Sequence, residues 1–160
     1  MDQFFAQIFN ILTTAPGNLI YYLVIAFSVV VALQASLAAG RSGQIPSPRR
    51  TSSGLIWILT GQLVLFLRSG LAWLNVATLQ AFAPVLDRAV TALSLIWAAW
   101  LWCFPRQDRK ADLLNLLLSL GVVIFALVSY SGWSTQPTGI AFNNLGYDRV
   151  WHGVIGVIAL

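Results

Sequence analysis

The chain has 160 residues, of which 58% are hydrophobic and only 9% are charged. A soluble domain of this size has too small an interior to bury so much apolar surface, so the composition excludes a soluble globular protein and predicts an integral membrane protein. The nine Lys and Arg residues against five Asp and Glu lie mostly in short polar segments between apolar runs, which is typical of membrane proteins, so nucleic acid is not an expected partner.

The first 16 residues are predicted to form a short amphipathic segment at the membrane interface. Large apolar side chains recur there at helical spacing between glutamine and asparagine residues: Phe4, Phe5, Ile8, Phe9 and Leu12. The stripe ends at Pro16 and Gly17, which break a helix, and it is too short to cross a bilayer.

Four longer apolar runs follow, covering residues 19–39, 55–76, 89–104 and 113–133. A helix needs about 20 residues to cross the hydrocarbon layer, so each run predicts a membrane span, although the third is short unless it begins near Pro84. The predicted fold is therefore an all-α polytopic transmembrane helix bundle with four full spans and the start of a fifth.

The fifth apolar run, residues 150–160, is too short to cross a bilayer. A helix that ended at mid-depth would leave its last carbonyl groups unpaired in hydrocarbon. We therefore expect the sequence to be the leading part of a longer protein. The alternative is a complete subunit whose last half-helix is covered by its partners in a larger membrane complex.

The distribution of basic residues predicts the orientation of the chain. The loops after the first and third spans carry six of them, Arg41, Arg49, Arg50, Arg106, Arg109 and Lys110, whereas the opposite side has Arg88 and Arg149. Basic residues favour the cytoplasmic side of a membrane. The sequence thus predicts an amino terminus outside and a location in the bacterial cytoplasmic membrane.

Arg68 is the one charged residue inside the predicted spans, and all five aspartates are expected in ends or loops. An unpaired arginine within a span is costly, so Arg68 either extends to the outer headgroups or serves a function, as a site for an anionic ligand or as a switchable contact between helices. Asn75 lies seven residues further on the same helical face and would extend the polar strip.

Two further polar residues, Gln34 and Gln62, lie at similar depth in the first and second spans. Neighbouring helices are commonly joined by such side chains, so a hydrogen bond between them is expected, with a ligand or proton pathway as the alternative. Small residues spaced by four on the first span, Ser28, Ala32, Ser36 and Gly40, form a ridge that predicts either a packing face within the bundle or a homodimer contact.

No catalytic motif, glycine-rich phosphate loop or metal motif occurs in the sequence, so the chain is not expected to be an enzyme. One cysteine and one histidine exclude an internal disulfide and a Cys/His zinc site. His152 alone could not supply both axial ligands of a bis-imidazole haem, and an interfacial position is expected for it. No cofactor is expected.

The segment from Leu12 to Gln34, LTTAPGNLIYYLVIAFSVVVALQ, is followed by short arginine-bearing loops and tryptophan-rich spans. This layout resembles the amino-terminal multi-span region of some bacterial sensor histidine kinases. The resemblance implies an amino terminus outside, further spans, and cytoplasmic GAF, PAS or kinase modules after the last span. Neither the phospho-accepting His motif nor the ATP-binding motifs are present, so a kinase activity would have to lie beyond Leu160.

Two functions therefore remain open. The first is a membrane sensor region that passes an envelope or lipid-soluble signal to cytoplasmic modules as a change in helix packing. The second is an accessory or structural subunit of a larger respiratory or photosynthetic membrane complex.

Overall fold

The computed structural model describes residues 7, 16–43, 48–74, 82–104, 106, 108–136 and 140–159. In these residues all regular structure is helical: α1 (Gly17–Arg41), α2 (Pro48–Trp73), α3 (Ala83–Cys103), α4 (Arg109–Ser134), a 3-10 turn (Phe142–Asn144) and α5 (Gly146–Ala159). The prediction of an all-α fold is confirmed. The amphipathic segment predicted at residues 1–16 falls almost entirely outside the described residues.

Helices α1 to α4 are each long and apolar enough to cross a membrane. They contain 25, 26, 21 and 26 residues, which at about 1.5 Å per residue exceed the roughly 30 Å of the hydrocarbon layer. The coarse prediction of a multi-pass membrane protein is thereby supported. Helix α5 has 14 residues and extends only about two thirds of that distance.

The helices begin earlier than the apolar runs indicate, and the difference matters most for α3. This helix starts at Ala83 rather than at residue 89, and Pro84 lies in its first turn, where the missing N–H group of a proline costs no hydrogen bond. Asp87 and Arg88, expected in a loop, therefore lie on the helix. Hydropathy marks only the lipid-embedded part of a helix, whereas backbone hydrogen bonding continues into the polar interface.

Each of the helices α1 to α3 packs in antiparallel fashion against the helix that follows it, and α5 packs against α3. The bundle accordingly has two ends. We call one the Arg-rich end, where α1 and α3 finish and α2 and α4 begin, with the residues Arg41, Arg49, Arg50, Arg106, Arg109 and Lys110. The other, where α3 and α5 begin, we call the opposite end.

Helix α3 lies at the centre of the bundle. In the most apolar part of this helix 28% of the residues are buried within the chain, against 11% to 17% for the other three long helices. Its buried side chains recur at intervals of four, three and four residues, and they pack with residues from α4, the 3-10 turn and α5: Val85, Ala89, Ala92, Ile96, Val122, Phe142 and Trp151. This spacing keeps one face of α3 in the core.

The outer faces of the helices are covered by large apolar side chains that the chain does not bury. Phe27 on α1 is 70% exposed and Leu127 on α4 is 65% exposed. Exposure of this kind over helices that can span a bilayer is the pattern expected where lipid, rather than water, surrounds the protein.

Helix α2 approaches α3 closely at two glycines. A Cβ atom at Gly61 would lie 3.0 Å from Cγ1 of Val90 and 3.2 Å from Oγ of Ser94, and one at Gly54 would lie 2.9 Å from the Leu101 side chain. The two glycines are seven residues apart and thus lie on one face of α2. Their missing side chains allow the two backbones to come together.

Candidate functional site: ion pairs between the helices

Arg68 of α2 forms an ion pair with Asp87 of α3. Its Nε atom lies 3.0 Å from Oδ1 of the aspartate, and the two side chains are only 13% and 29% exposed. The expectation that no carboxylate lies at the depth of Arg68 is wrong, because α3 begins early enough to place Asp87 on its second turn. The pair lies close to the opposite end, since Arg68 is five residues from Trp73.

The contact between Arg68 and Asp87 is an ion pair by distance without the alignment of a hydrogen bond. Neither Nε of the arginine nor Oδ1 of the aspartate has a hydrogen-bond partner, although both atoms are buried. Tyr22 of α1 lies next to the pair, and its hydroxyl group interacts electrostatically with both charges. Helices α1, α2 and α3 therefore contribute one polar side chain each to this cluster.

The residue after Asp87, Arg88, forms a second ion pair. Arg88 of α3 donates a hydrogen bond from Nε to Oδ1 of Asp148 on α5, at 2.8 Å. Asp148 is 9% exposed at its side chain, and its Oδ2 lies 3.4 Å from Nδ1 of His152. The imidazole itself is 68% exposed, and an interfacial position for His152 stays a prediction.

The two pairs are joined through the backbone of α3, because Asp87 and Arg88 are adjacent residues. Asp87 points to α2 and Arg88 to α5, so any displacement of α3 relative to either neighbour alters one of the two ion pairs. We define the residues Tyr22, Arg68, Asp87, Arg88 and Asp148 as the polar relay.

The expected hydrogen bond between Gln34 and Gln62 is absent from the described residues. Gln62 is buried between α2 and α3, and its Nε2 donates to Oγ of Ser94 at 3.5 Å. Gln34 is exposed on α1. Equal depth does not bring the two residues together because they point in different directions around their helices.

The small-residue ridge of α1 is only partly used for packing. Ser36 is buried, and Gly40 lies against Pro48 at the start of α2, where a Cβ atom would come within 2.5 Å of the proline Cβ. Ser28 and Ala32 are exposed, and the Ser28 hydroxyl donates to the carbonyl of Val24 on its own helix. Asn75, the remaining candidate, lies outside the described residues.

A third ion pair, which sequence reasoning missed, lies at the Arg-rich end. Arg50 of α2 lies 3.0 Å from Oδ1 of Asp112 on α4, its guanidinium is 3.8 Å from the centre of the Trp100 ring, and it donates to the carbonyl oxygens of Phe104 and Arg106. The Trp100 indole also donates to Asp112, at 3.2 Å. Arg50 thus ties the start of α2 and of α4 to the end of α3.

A sequence signal for this third pair exists in the charges at the helix ends. An acidic residue in the first turn of a helix and a basic residue beside the last carbonyl groups of another are both favoured by the helix dipole. Arg50 and Asp112 lie in the first turns of α2 and α4, at the same end of the bundle. The signal is weak, because five other basic residues compete for the same aspartate.

The described residues contain no group of three His, Cys, Asp or Glu side chains that could hold a metal ion. Comparison of the chain with protein-family models, curated proteins and solved structures finds no match.

Proposed function

We propose that the chain is the membrane-embedded sensor region of a signal-transducing protein. In this proposal it responds to an envelope or lipid-soluble signal and relays the change to cytoplasmic modules beyond Leu160. The observation that carries the proposal is the pair of oppositely directed ion pairs at Asp87 and Arg88, which couple the central helix to α2 and α5.

Ion pairs of this kind suit a switch for an energetic reason. Burying charges costs free energy that their mutual attraction only partly recovers, so the intact and the rearranged arrangement of such a pair differ by a few kcal/mol. A ligand that favours one arrangement by that amount shifts the population of the bundle. The incomplete hydrogen bonding of Arg68 and Asp87 leaves room for a better partner in a second state.

The proposed orientation places the Arg-rich end in the cytoplasm of a bacterium and the amino terminus outside. Arg50 is paired within the bundle, but five basic residues remain exposed at this end: Arg41, Arg49, Arg106, Arg109 and Lys110. At the opposite end Arg68 and Arg88 are paired, which leaves Arg149 exposed. This asymmetry supports the positive-inside orientation.

The alternative proposal is an accessory or structural subunit of a larger membrane complex. It is favoured by an apolar cleft of about 700 Å³ between α4 and α5, with Val157 beside it 76% exposed. A neighbouring subunit could fill this cleft. Co-purification of stoichiometric partner subunits, pigment or quinone from the native membrane would support this reading.

The coding sequence that follows the Leu160 codon separates the two proposals. Cytoplasmic transmitter modules in the same reading frame are expected for a sensor, whereas a stop codon directly after Leu160 would contradict the sensor proposal and favour the subunit.

In the full-length protein we expect Arg68→Leu to abolish the response to the signal while membrane insertion is retained, because Asp87 loses its partner. The response is measured as output of the transmitter in native membranes. Arg149→Leu, which removes an exposed charge from the same end, is the matched control. The double variant Arg68→Asp with Asp87→Arg, which exchanges the two charges, should insert and fold. An unaltered response in Arg68→Leu would contradict a role of the polar relay in signalling.

A further inference from the structure

The hairpin of α1 and α2 forms a cleft at the Arg-rich end that none of the functions above uses. Its volume is about 510 Å³, and it lies where the end of α1 meets the first turns of α2. Polar residues line its mouth and apolar residues its inner part. Arg41, Arg49, Ser52 and Ser53 form the polar part, and Leu37, Ile56 and Trp57 continue it toward the membrane interior.

The two arginines of the cleft have no anionic partner in the described part of the chain. Four of the five aspartates lie there, and all four are engaged elsewhere: Asp87, Asp112 and Asp148 in ion pairs and Asp108 in capping α4. Arg41 and Arg49 therefore present two positive charges to the same cleft. A phosphate group is a favourable ligand for such a site, because guanidinium groups donate paired hydrogen bonds to phosphate oxygens.

A hydroxyl group inside the cleft also lacks a partner. The Oγ atom of Ser52 is buried and makes no hydrogen bond, which is unfavourable for a polar atom that water does not reach. Ser53 lies next to it and is exposed. Serine hydroxyl groups donate to phosphate and glycerol oxygens, so an occupant with such oxygens would satisfy Ser52 once its side chain turned about χ1 toward the cleft.

The apolar part of the cleft indicates what is attached to the phosphate. Ile56 and Trp57 are 50% and 57% exposed and lie two turns deeper in the membrane than Arg49. Their side chains, with Leu37 of α1, form an apolar surface that starts below the arginines and runs in the direction of an acyl chain. A soluble anion would leave this surface empty.

We propose that the cleft is a binding site for an anionic diacyl phospholipid, whose phosphate contacts Arg41 and Arg49 and whose acyl chain lies against Leu37, Ile56 and Trp57. Basic pockets between membrane helices are known to hold lipid headgroups of this charge. The lipid connects the end of α1 to the start of α2, where Gly40 lies against Pro48. This inference does not depend on the sensor function.

Native mass spectrometry of the delipidated chain in neutral detergent tests the proposal, with phosphatidylglycerol titrated as the anionic lipid and phosphatidylcholine as the zwitterionic one. We expect one phosphatidylglycerol to be retained in preference to phosphatidylcholine. Arg41→Gln with Arg49→Gln should weaken its binding about thirtyfold, since each basic residue near an anionic lipid contributes a factor of about five.

Arg106→Gln with Arg109→Gln is the matched control, because it removes the same charge from the same end outside the cleft. It should change binding by less than about threefold, in line with diffuse attraction alone. Ser53→Trp keeps both arginines and fills the cleft from an exposed position, so it should also release the lipid while the thermal unfolding of the lipid-free protein stays unchanged.

Three results would overturn the proposal. Equal loss of lipid in the cleft variant and the control variant would show diffuse attraction without a site. Equal binding of phosphatidylcholine would remove the role of the charge. Competition by inorganic phosphate at concentrations equal to those of phosphatidylglycerol would show a site for the free anion rather than for the lipid.

Discussion

At the scale of single residues, the arginines of this chain differ by what surrounds them. Arg68 pairs with one aspartate. Arg88 pairs with Asp148, donates to Oδ1 of Asn143 at 3.5 Å and lies 6.0 Å from the centre of an aromatic ring. Arg50 contacts a carboxylate, two carbonyl groups and the face of a tryptophan. The planar guanidinium group of Arg50 can serve all of these partners at once, because it has five N–H donors and a flat face that stacks on tryptophan. A lysine at this position could serve only some of them.

We therefore expect Arg50→Lys to lower the thermal stability of the protein in detergent or nanodiscs by an amount that corresponds to about 1–2 kcal/mol. The Arg50 side chain is 9% exposed, so the lost contacts are not replaced by water. Arg109→Lys is the control, since Arg109 is exposed at the same end outside the lipid cleft and the lysine keeps its charge. Equal melting temperatures for the two variants would contradict the structural role of Arg50.

At the scale of elements, α3 connects the bundle because three different partners pack on it. Its contact with α2 depends on the close approach of the two backbones at Gly54 and Gly61. Its contacts with α4 and α5 depend on the apolar face of α3 from Val85 to Ile96. The polar relay lies beside these contacts at the opposite end. The position of α3 relative to α2 thus determines both the packing and the geometry of the pair Arg68–Asp87.

Gly61→Leu is expected to separate α2 from α3 and destabilise the bundle by about 1–3 kcal/mol, the usual cost of overfilling a packed contact. The cause is the 3.0 Å approach of a Cβ atom at this position to Val90. Thermal unfolding monitored by tryptophan fluorescence measures the effect, because Trp57 and Trp97 stack across the same contact at 6.0 Å.

Gly121→Leu is the matched control for this prediction. A Cβ atom at Gly121 on α4 would meet nothing within 4 Å, so a leucine there should leave stability unchanged or raise it slightly through its better helix propensity. A loss of stability in Gly121→Leu as large as in Gly61→Leu would show that glycine replacement alone, rather than the α2–α3 contact, causes the effect.

Helical geometry explains why the small-residue ridge of α1 does not form a single packing face. Residues spaced by four advance by 400° around a helix of 3.6 residues per turn, which is about 40° past a full turn at each step. Four such residues therefore spread over about 120°. Ser36 and Gly40 reach the side that packs on α2, and Ser28 and Ala32 stay on the outer surface, where a homodimer contact remains a prediction.

At the scale of the whole molecule, the two ends of the bundle differ in charge. The Arg-rich end carries five exposed basic residues, and the opposite end keeps most of its charges in ion pairs. The proposed orientation follows from this difference. In that orientation the proposed lipid cleft would lie in the cytoplasmic leaflet, where anionic lipids and basic residues meet.

The single cysteine of the chain allows the orientation to be measured directly. Cys103 is exposed at the end of α3, on the Arg-rich end. We expect a membrane-impermeant maleimide to leave Cys103 unlabelled in intact cells and to label it in inverted membrane vesicles. The comparison variant carries Cys103→Ser with Ser134→Cys, which moves the thiol to the opposite end and should reverse the pattern. Labelling of Cys103 from outside would invert the proposed topology.

The sequence by itself determined that the chain is helical and has four segments that can span a membrane, because lipid requires long uncharged segments with internally paired backbones. It put the start of α3 six residues too late. It also determined which end of the bundle carries most of the basic residues. These features depend on position along the chain, and hydropathy and charge can be read there directly.

Only the tertiary structure decided which side chains meet. The sequence gives the depth of Gln34, Gln62 and Arg68 in the membrane, because depth follows from position along each apolar run. It does not give the direction of a side chain around its helix, since a shift of one residue turns that direction by about 100°. Thus Gln62 contacts Ser94 instead of Gln34, and Arg68 contacts Asp87, which hydropathy had assigned to a loop. The physical reason is that lateral contacts follow from how helices pack and where they begin, and both are set by the bundle as a whole.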